Sequence, residues 1–196
     1  MIKKLSLLLF SIVLISGCIS SNKQSDYQLD NDTSSLTFIS VKKTDTAEIG
    51  KFKQLEGTID KSGNVTLKVD LSSVDTNIAI RNSRMQEFLF EIAKFATANI
   101  TTKVDMEKVN KLAIGQTMLE TVTIKLDLHG EQKDITANVL ATRLAEDKLM
   151  IVNQTALFLK AADFKLLDGI EKLRNLAGLP RISKVVPINF VFTFKM

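Results

Sequence analysis

The 196-residue chain has little of several residue types, and each scarcity excludes a class of function. It contains one cysteine, one histidine, one tyrosine and no tryptophan. A single cysteine cannot form a disulfide within the chain, and a single histidine without further ligands nearly excludes a transition-metal site. With few stacking aromatics and no block of lysine and arginine, nucleic acid is also excluded as a partner. We therefore expect no metal and no cofactor.

Signatures of catalysis are scarce as well. The chain has no GxSxG nucleophile elbow and no glycine-rich phosphate loop. His129 stands beside Gly130 at the end of an alternating run, and we interpret it as an exposed residue at a hairpin end. The sequence thus predicts no catalytic residue and a protein that is not an enzyme, with a hydrolase as a distant alternative.

The first 26 residues carry the pattern of an export and anchoring signal. Lys3 and Lys4 precede an apolar run over residues 5–15, which is shorter than the roughly twenty residues that a bilayer-spanning helix needs. The small residues before Cys18 resemble the lipobox of bacterial lipoproteins, in which the thiol receives a diacylglyceryl group and becomes the new N-terminus. An ordinary secretory signal with a cysteine nearby by chance is the alternative.

From this pattern we predict a signal peptide over residues 1–17, a flexible tether over residues 18–26 and one domain over residues 27–196. Several acyl chains on Cys18 would hold the protein stably on a membrane. Ile19 is not the aspartate that, by resemblance to Gram-negative lipoproteins, retains a protein at the inner membrane. We therefore expect the protein at the periplasmic side of the cell envelope, lipid-anchored to the outer membrane.

The rest of the chain mostly alternates apolar and polar residues, which is typical of half-buried strands. The predicted strands cover residues 36–41, 51–60, 65–71, 98–109, 117–129, 134–143, 149–160 and 185–195. Most are joined by short turns, and several are ten residues or longer with one apolar face. A sheet of this kind tends to close, so we predict an all-β fold, an antiparallel barrel of about eight strands.

Two stretches break the alternation and predict two short helical inserts. In residues 75–95, apolar side chains recur at helical spacing, and Asn82 or Ser83 is a candidate N-cap. In residues 163–180, a second apolar helical face is followed by Gly178 as a stop. Each insert fits either simple packing on the barrel or a lid at the mouth of an apolar cavity, and the sequence leaves both interpretations open.

A particular order of residues runs through this pattern: Asp75-Thr76, Arg81-Asn82, the helical Glu87-Phe88-Leu89-Phe90, Phe95, Asp163-Phe164 and a last strand over 185–190. Over residues 27–195 it resembles the YceI-like family of bacterial periplasmic lipid-binding proteins. The resemblance implies a lipocalin-like barrel that holds an isoprenoid chain or a similar amphiphile in its lumen. The chain departs from the family pattern at Asn82, at Arg84-Met85 and at Ala96.

An apolar lumen favours a long apolar guest, because burying apolar area contributes about 25 cal/mol per Å² without any directional bond. We predict non-catalytic binding or transport of an isoprenoid, quinone or fatty-acyl amphiphile. The candidate lumen residues are Phe38, Val122, Ile124, Leu126, Phe158, Phe190 and Phe192, and those near the opening are Phe88, Phe90, Phe95 and Phe164. The alternative is an envelope structural or adaptor lipoprotein with a filled core. A homodimer is left open.

Overall fold

A computed structural model describes residues 26–196 of the chain. The predicted signal peptide, Cys18 and nearly all of the predicted tether lie outside the described residues. The strands within this range are β1 (Tyr27–Leu29), β2 (Ser35–Lys42), β3 (Thr46–Phe52), β4 (Leu55–Ile59), β5 (Asn64–Asp70), β6 (Val74–Asp75), β7 (Thr97–Lys103), β8 (Thr117–Leu128), β9 (Glu131–Ala145), β10 (Lys148–Asn153), β11 (Leu157–Lys160) and β12 (Val185–Lys195). The helices are α1 (Ala79–Arg84), α2 (Met106–Lys111) and α3 (Leu167–Leu176).

The strands form one closed antiparallel barrel whose order in space follows their order along the chain. Four pairs of short strands act as single interrupted strands: β1 with β2, β3 with β4, β5 with β6, and β10 with β11. The eight resulting strands close into a ring because β12 pairs with β1 and β2 on one side and with β10 and β11 on the other. The predicted antiparallel barrel of about eight strands is confirmed.

The barrel has two ends of different construction. At one end, which we call the turn end, the connections 60–63, 104–116 and 146–147 lie beside the start of β1 and the end of β12. At the opposite end, which we call the lid end, the two long connections 71–96 and 161–184 pack apolar side chains into the barrel core. The same core therefore meets two tight turns and the connection with α2 at one end, and two folded inserts at the other.

The two inserts of the lid end pack directly on each other. The first consists of α1 and a π-helical turn over Met85–Leu89, and the second contains α3. Gly169 of α3 lies at their contact, where an added Cβ would be 2.6 Å from the backbone oxygen of Phe88 and 2.8 Å from the Cα of Leu89. Only glycine allows so close an approach, so this residue sets the distance between the inserts.

The helix of the first insert begins earlier than the sequence predicts. It starts at Ala79, so the predicted N-cap at Asn82 or Ser83 is wrong. The Oδ1 atom of Asn82 instead accepts hydrogen bonds from the backbone N–H of Thr76 at 2.9 Å and from its hydroxyl at 2.6 Å. This polar side chain therefore fixes the turn before the helix rather than the first turn of the helix itself.

A third short helix, α2, replaces the end of the strand predicted over residues 98–109. β7 stops at Lys103, and Asp105 caps α2 by accepting hydrogen bonds from the backbone N–H groups of Glu107 at 2.9 Å and Lys108 at 3.3 Å. The sequence pattern did not reveal this helix, because Met106 continues the apolar alternation of β7 and packs against the core although it is no longer in a strand.

Candidate functional site

An apolar cavity of about 240 Å³ occupies the interior of the barrel. It extends from Leu89 and Phe90 of the first insert to Met106 and Val109 of α2, and so along the whole barrel. Protein cores contain few voids larger than a water molecule, so this space is not a packing defect. The interior is therefore hollow, and the alternative of a filled core is contradicted.

The wall of the cavity follows from the alternation of the strands. In β8, Val122, Ile124 and Leu126 face the cavity, whereas Thr123 and Lys125 between them are exposed on the outside. Successive side chains of a strand point to opposite faces, so one long alternating sequence produces both a polar exterior and an apolar lining. The lining needs no special motif, only strict alternation over enough residues to cross the barrel.

Eight of the predicted binding residues line the cavity: Phe38, Phe90, Val122, Ile124, Leu126, Phe164, Phe190 and Phe192. The rings of the last two are stacked, with centroids 4.6 Å apart and an interplanar angle of 10°. Phe164 is 2% exposed, although it belongs to the second insert, because its ring reaches down into the barrel. The walls and the lid therefore contribute phenylalanines to the same space.

Phe158 does not line the cavity, and its predicted place in the lumen is wrong. Its side chain is 64% exposed on the outside of β11. The inward residues of this strand are Leu157 and Leu159, which continue the parity of Leu149 and Ile151 in β10. Strict counting along the chain would have placed Phe158 outside, since it differs in parity from all four of these residues.

Phe88 and Phe95 lie at the lid end but do not line the cavity. The ring of Phe88 is covered by Lys172 of α3, whose Nζ atom is 5.3 Å from the ring centroid. The ring of Phe95 packs on the imidazole of His129 with centroids 4.4 Å apart. Both residues hold the lid together from the outside, which agrees with their predicted neighbourhood and not with direct contact to the lumen.

The sequence interpretation missed Phe52, which connects the wall of the barrel with the lid. Its ring lies 5.7 Å from that of Phe38 and 5.8 Å from that of Phe90, measured between centroids. Gly50, two residues earlier, leaves room for this row, because a Cβ there would lie 2.3 Å from the ring of Phe38. The spacing of Gly50 and Phe52 on one strand face was the available signal.

His129 is not the exposed hairpin residue that the sequence predicts. It is 9% exposed, and its Nε2 atom lies 3.0 Å from Oε2 of Glu91 in the first insert. The prediction is wrong because residues 71–96 return over the turn between β8 and β9 and cover the ring. Lys94, and to a smaller extent His129, lower the pKa of Glu91, so an ionised carboxylate connects the lid with the barrel.

No polar atom of the described residues is exposed to the cavity, although two charged residues, Glu120 and Lys160, contribute apolar atoms to its lining. Glu120 of β8 lies towards the turn end, where Oε1 of its carboxylate is 3.0 Å from Nζ of Lys108 on α2. Hydrogen bonding and Coulomb attraction from Glu120 raise the pKa of Lys108. Lys160 lies towards the lid end of β11 and is exposed to solvent. The cavity can thus hold an apolar molecule by excluding water, without polar contacts along its wall.

Within residues 26–196, no group of three or more histidine, cysteine, aspartate or glutamate side chains is placed to hold a metal ion. Among the helices of the same residues, none combines the length and apolar character that crossing a membrane requires.

Comparison with known proteins agrees with this architecture. Residues 27–194 match the YceI-like domain, which is most of the chain. The protein belongs to the YceI-like domain family. A solved polyisoprenoid binding domain from Saccharophagus degradans, implicated in plant cell wall breakdown, is 44% identical to this YceI-like protein with a TM-score of 0.85. That alignment covers 86% of this chain and 97% of the other.

Two more distant structures share the YceI-like fold alone. BcnA of Burkholderia cenocepacia is 17% identical over 84% of this chain and 98% of its own, with a TM-score of 0.64. The YceI protein of Campylobacter jejuni is 19% identical over 75% of this chain and 84% of its own, with a TM-score of 0.56. No curated protein gives a significant match.

Proposed function

We propose that this YceI-like protein binds a long apolar amphiphile, of the isoprenoid, quinone or fatty-acyl type, in its barrel cavity and carries it without catalysing a reaction. The observation that carries the proposal is the apolar cavity that extends from the lid to α2. The 44% identical domain from Saccharophagus degradans, which is a polyisoprenoid binding domain, supports the same class of ligand.

The energetics favour a tail-like guest. Burying a methylene group contributes about 0.8 kcal/mol, so one five-carbon unit contributes roughly 3–4 kcal/mol before the entropy of ordering is subtracted. A lining of leucine, valine and phenylalanine gives this stabilisation to any apolar chain of suitable width. The site therefore selects its ligand by length and width, because no polar atom of the described residues is exposed to the cavity.

Access of such a ligand requires the lid end to move. The first insert contacts the barrel through the Glu91–His129 pair, through the ion pair of Arg81 with Glu48 of β3, and through apolar packing. The second insert is held more firmly, by the ion pair of Lys165 with Glu131 of β9 and by backbone hydrogen bonds of residues 181–183 to the end of β2. Hinged opening of residues 76–96 would expose the cavity while the strands stay paired.

We also propose that Cys18 carries the lipid anchor and holds the domain at the periplasmic face of the outer membrane. The basic start, the apolar run over residues 5–15 and the small residues before Cys18 support this. Because β1 begins at the turn end, the tether would join the barrel at the end opposite the lid. A Cys18→Ser variant should leave the membrane fraction, and a variant that stays bound would refute the anchor.

The test of the binding function is extraction of lipids from the purified protein followed by mass spectrometry. We expect a prenyl or acyl species in a constant molar ratio to the protein. The test variant is Ala141→Trp, whose new ring fills the cavity from β9. The matched control is Leu119→Trp, which adds the same ring at a position that is 54% exposed on the outside of the barrel. Loss of the bound lipid from Ala141→Trp alone supports the proposal. Absence of bound lipid from the wild type and both variants contradicts it.

A further inference from the structure

We propose that the lid end is a docking surface for an anionic lipid bilayer, at which the protein takes up and releases its ligand. This inference rests on the proposed lipid-binding function and assigns it a place on the molecule. It concerns the outer side of the two inserts, whose inner side closes the cavity.

Five residues from both inserts form one continuous surface, which we call the lid face. Ile80 and Arg84 are four residues apart in α1 and so lie on the same side of the helix. Nη1 of Arg84 donates a hydrogen bond of 3.2 Å to the backbone oxygen of Leu176. Lys172 lies four residues before Leu176 in α3, and its Nζ atom is 5.3 Å from the centroid of the Phe88 ring.

The lid face combines exposed apolar groups with cations that lack an acidic partner. Ile80 is 59% exposed and Leu176 is 38% exposed. Among the ion pairs between described residues, none includes Arg84 or Lys172. Long basic side chains beside apolar groups are suited to a bilayer interface, where the stem is buried and the charge reaches the headgroups.

The charge of the molecule orients the lid end towards an anionic surface. The lid-end connections 71–96 and 161–184 contain eight basic and six acidic side chains. The turn-end connections 60–63, 104–116 and 146–147 contain three basic and five acidic side chains. A negative surface therefore attracts the lid end and repels the turn end, so that the protein approaches a membrane lid first.

The lid face lies directly above the cavity. Leu89 and Phe90 follow Phe88 in the first insert and line the cavity, as do Phe164 and Leu166 in the second. With the lid face on a bilayer, separation of the inserts would connect the cavity with the acyl chains without exposing an apolar tail to water. The described chain begins at the turn end, opposite this surface.

The test is flotation of residues 26–196 with vesicles. This fragment contains the complete barrel and its core. We expect the wild-type fragment to float at least ten times better with vesicles of equal phosphatidylglycerol and phosphatidylcholine than with phosphatidylcholine alone. Changing Ile80→Asn together with Leu176→Asn should reduce flotation at least fivefold. Changing Arg84→Gln together with Lys172→Gln should abolish the preference for the anionic lipid.

The matched control is Ile114→Asn with Leu119→Asn, which removes two side chains that are 60% and 54% exposed at the turn end. It should float like the wild type, and all variants should keep the β-rich circular dichroism spectrum of the wild type. Equal flotation of the lid-face and control variants would overturn the proposal. So would a concentration-dependent dimer in sedimentation that only the lid-face variants lose, because the surface would then bind a second copy.

Binding of farnesol without vesicles separates this proposal from the function on which it rests. If the lid-face variants bind farnesol as the wild type does but no longer float, docking and ligand binding are distinct and the proposal stands. If the wild type floats but binds neither farnesol nor a longer prenol, the carrier function fails and the docking proposal fails with it as a step in ligand uptake.

Discussion

The two ends of the barrel close the same apolar interior by different means. At the turn end, Arg143 is 8% exposed and donates hydrogen bonds of 2.9 Å to the backbone oxygens of Val109 and Glu146, which ties α2 to the neighbouring turn. At the lid end, the polar ties to the barrel lie at the rim and the inserts meet at Gly169. The comparison indicates that the turn end is a fixed floor and the lid end a separable cover.

Among changes at the two ends of the barrel, the largest effect is expected at the floor. Changing Arg143→Met leaves two carbonyl oxygens without their buried donor, and should lower the free energy of unfolding by about 2–4 kcal/mol. Lys133→Met, at an exposed position of β9, is the control and should change it by less than about 0.5 kcal/mol. Urea unfolding measures both. If Arg143→Met kept the wild-type free energy of unfolding and only increased hydrogen exchange at the lid end, the comparison between the two ends would be contradicted.

A smaller effect is expected from Gly169→Val at the contact between the inserts. The new side chain would overlap the backbone of residues 88 and 89, and overpacking of this kind costs about 1–3 kcal/mol. Because the inserts can separate, we expect faster hydrogen exchange in residues 79–96 while the strands stay protected. Asn175→Ala, at an exposed position of α3, is the control. Uniformly faster exchange through the barrel would show that the lid is not separable.

The third prediction uses pH to loosen one tie of the lid. The folded pKa of Glu91 lies below its ordinary 4.5, with Lys94 as the main cause. Such a carboxylate stabilises the fold above the ordinary pKa, and this contribution is lost as the pH falls through the folded value. Exchange of residues 79–96, corrected for the intrinsic effect of pH, should therefore increase below pH 4.5.

The matched variant Glu91→Gln should show fast lid exchange already at neutral pH and little further increase in acid. Asp75 stays ionised to a lower pH than Glu91, because its pKa is lowered to about 2, mainly by Lys53. Opening that begins only near pH 2 would assign the acid response to Asp75 instead.

The smallest effect is expected from Phe158→Ala, because the ring is 64% exposed and faces away from the cavity. Stability should change by less than about 0.5 kcal/mol and bound lipid should be unchanged. Phe192→Ala, on the inner face of β12, should cost about 3–5 kcal/mol and reduce the lipid. Lipid content and urea unfolding of the two variants check the assignment of faces.

The barrel was predictable because the alternation of apolar and polar residues that specifies each strand is local and is repeated along the chain. The bounds of β12 and the inner face of β8 follow from unbroken alternation. The lid was predictable only as two helical inserts, since its contacts join residues far apart in the chain. The burial of His129 depends on Glu91 and Phe95 returning over it, which no pattern around residue 129 encodes. The start of α2 had a local signal in Asp105, but the surrounding alternation concealed it.

The central claim is that the hollow between floor and lid takes up an apolar chain. The most direct measurement is the melting temperature with a prenyl quinone at about one hundred times its dissociation constant. Linkage predicts a stabilisation of about 2.7 kcal/mol, which raises the melting temperature of a domain of this size by roughly 5–10 °C. We expect this rise for the wild type and for Leu119→Trp, and none for Ala141→Trp. An unchanged wild type, or an equal rise in all three proteins, would contradict it.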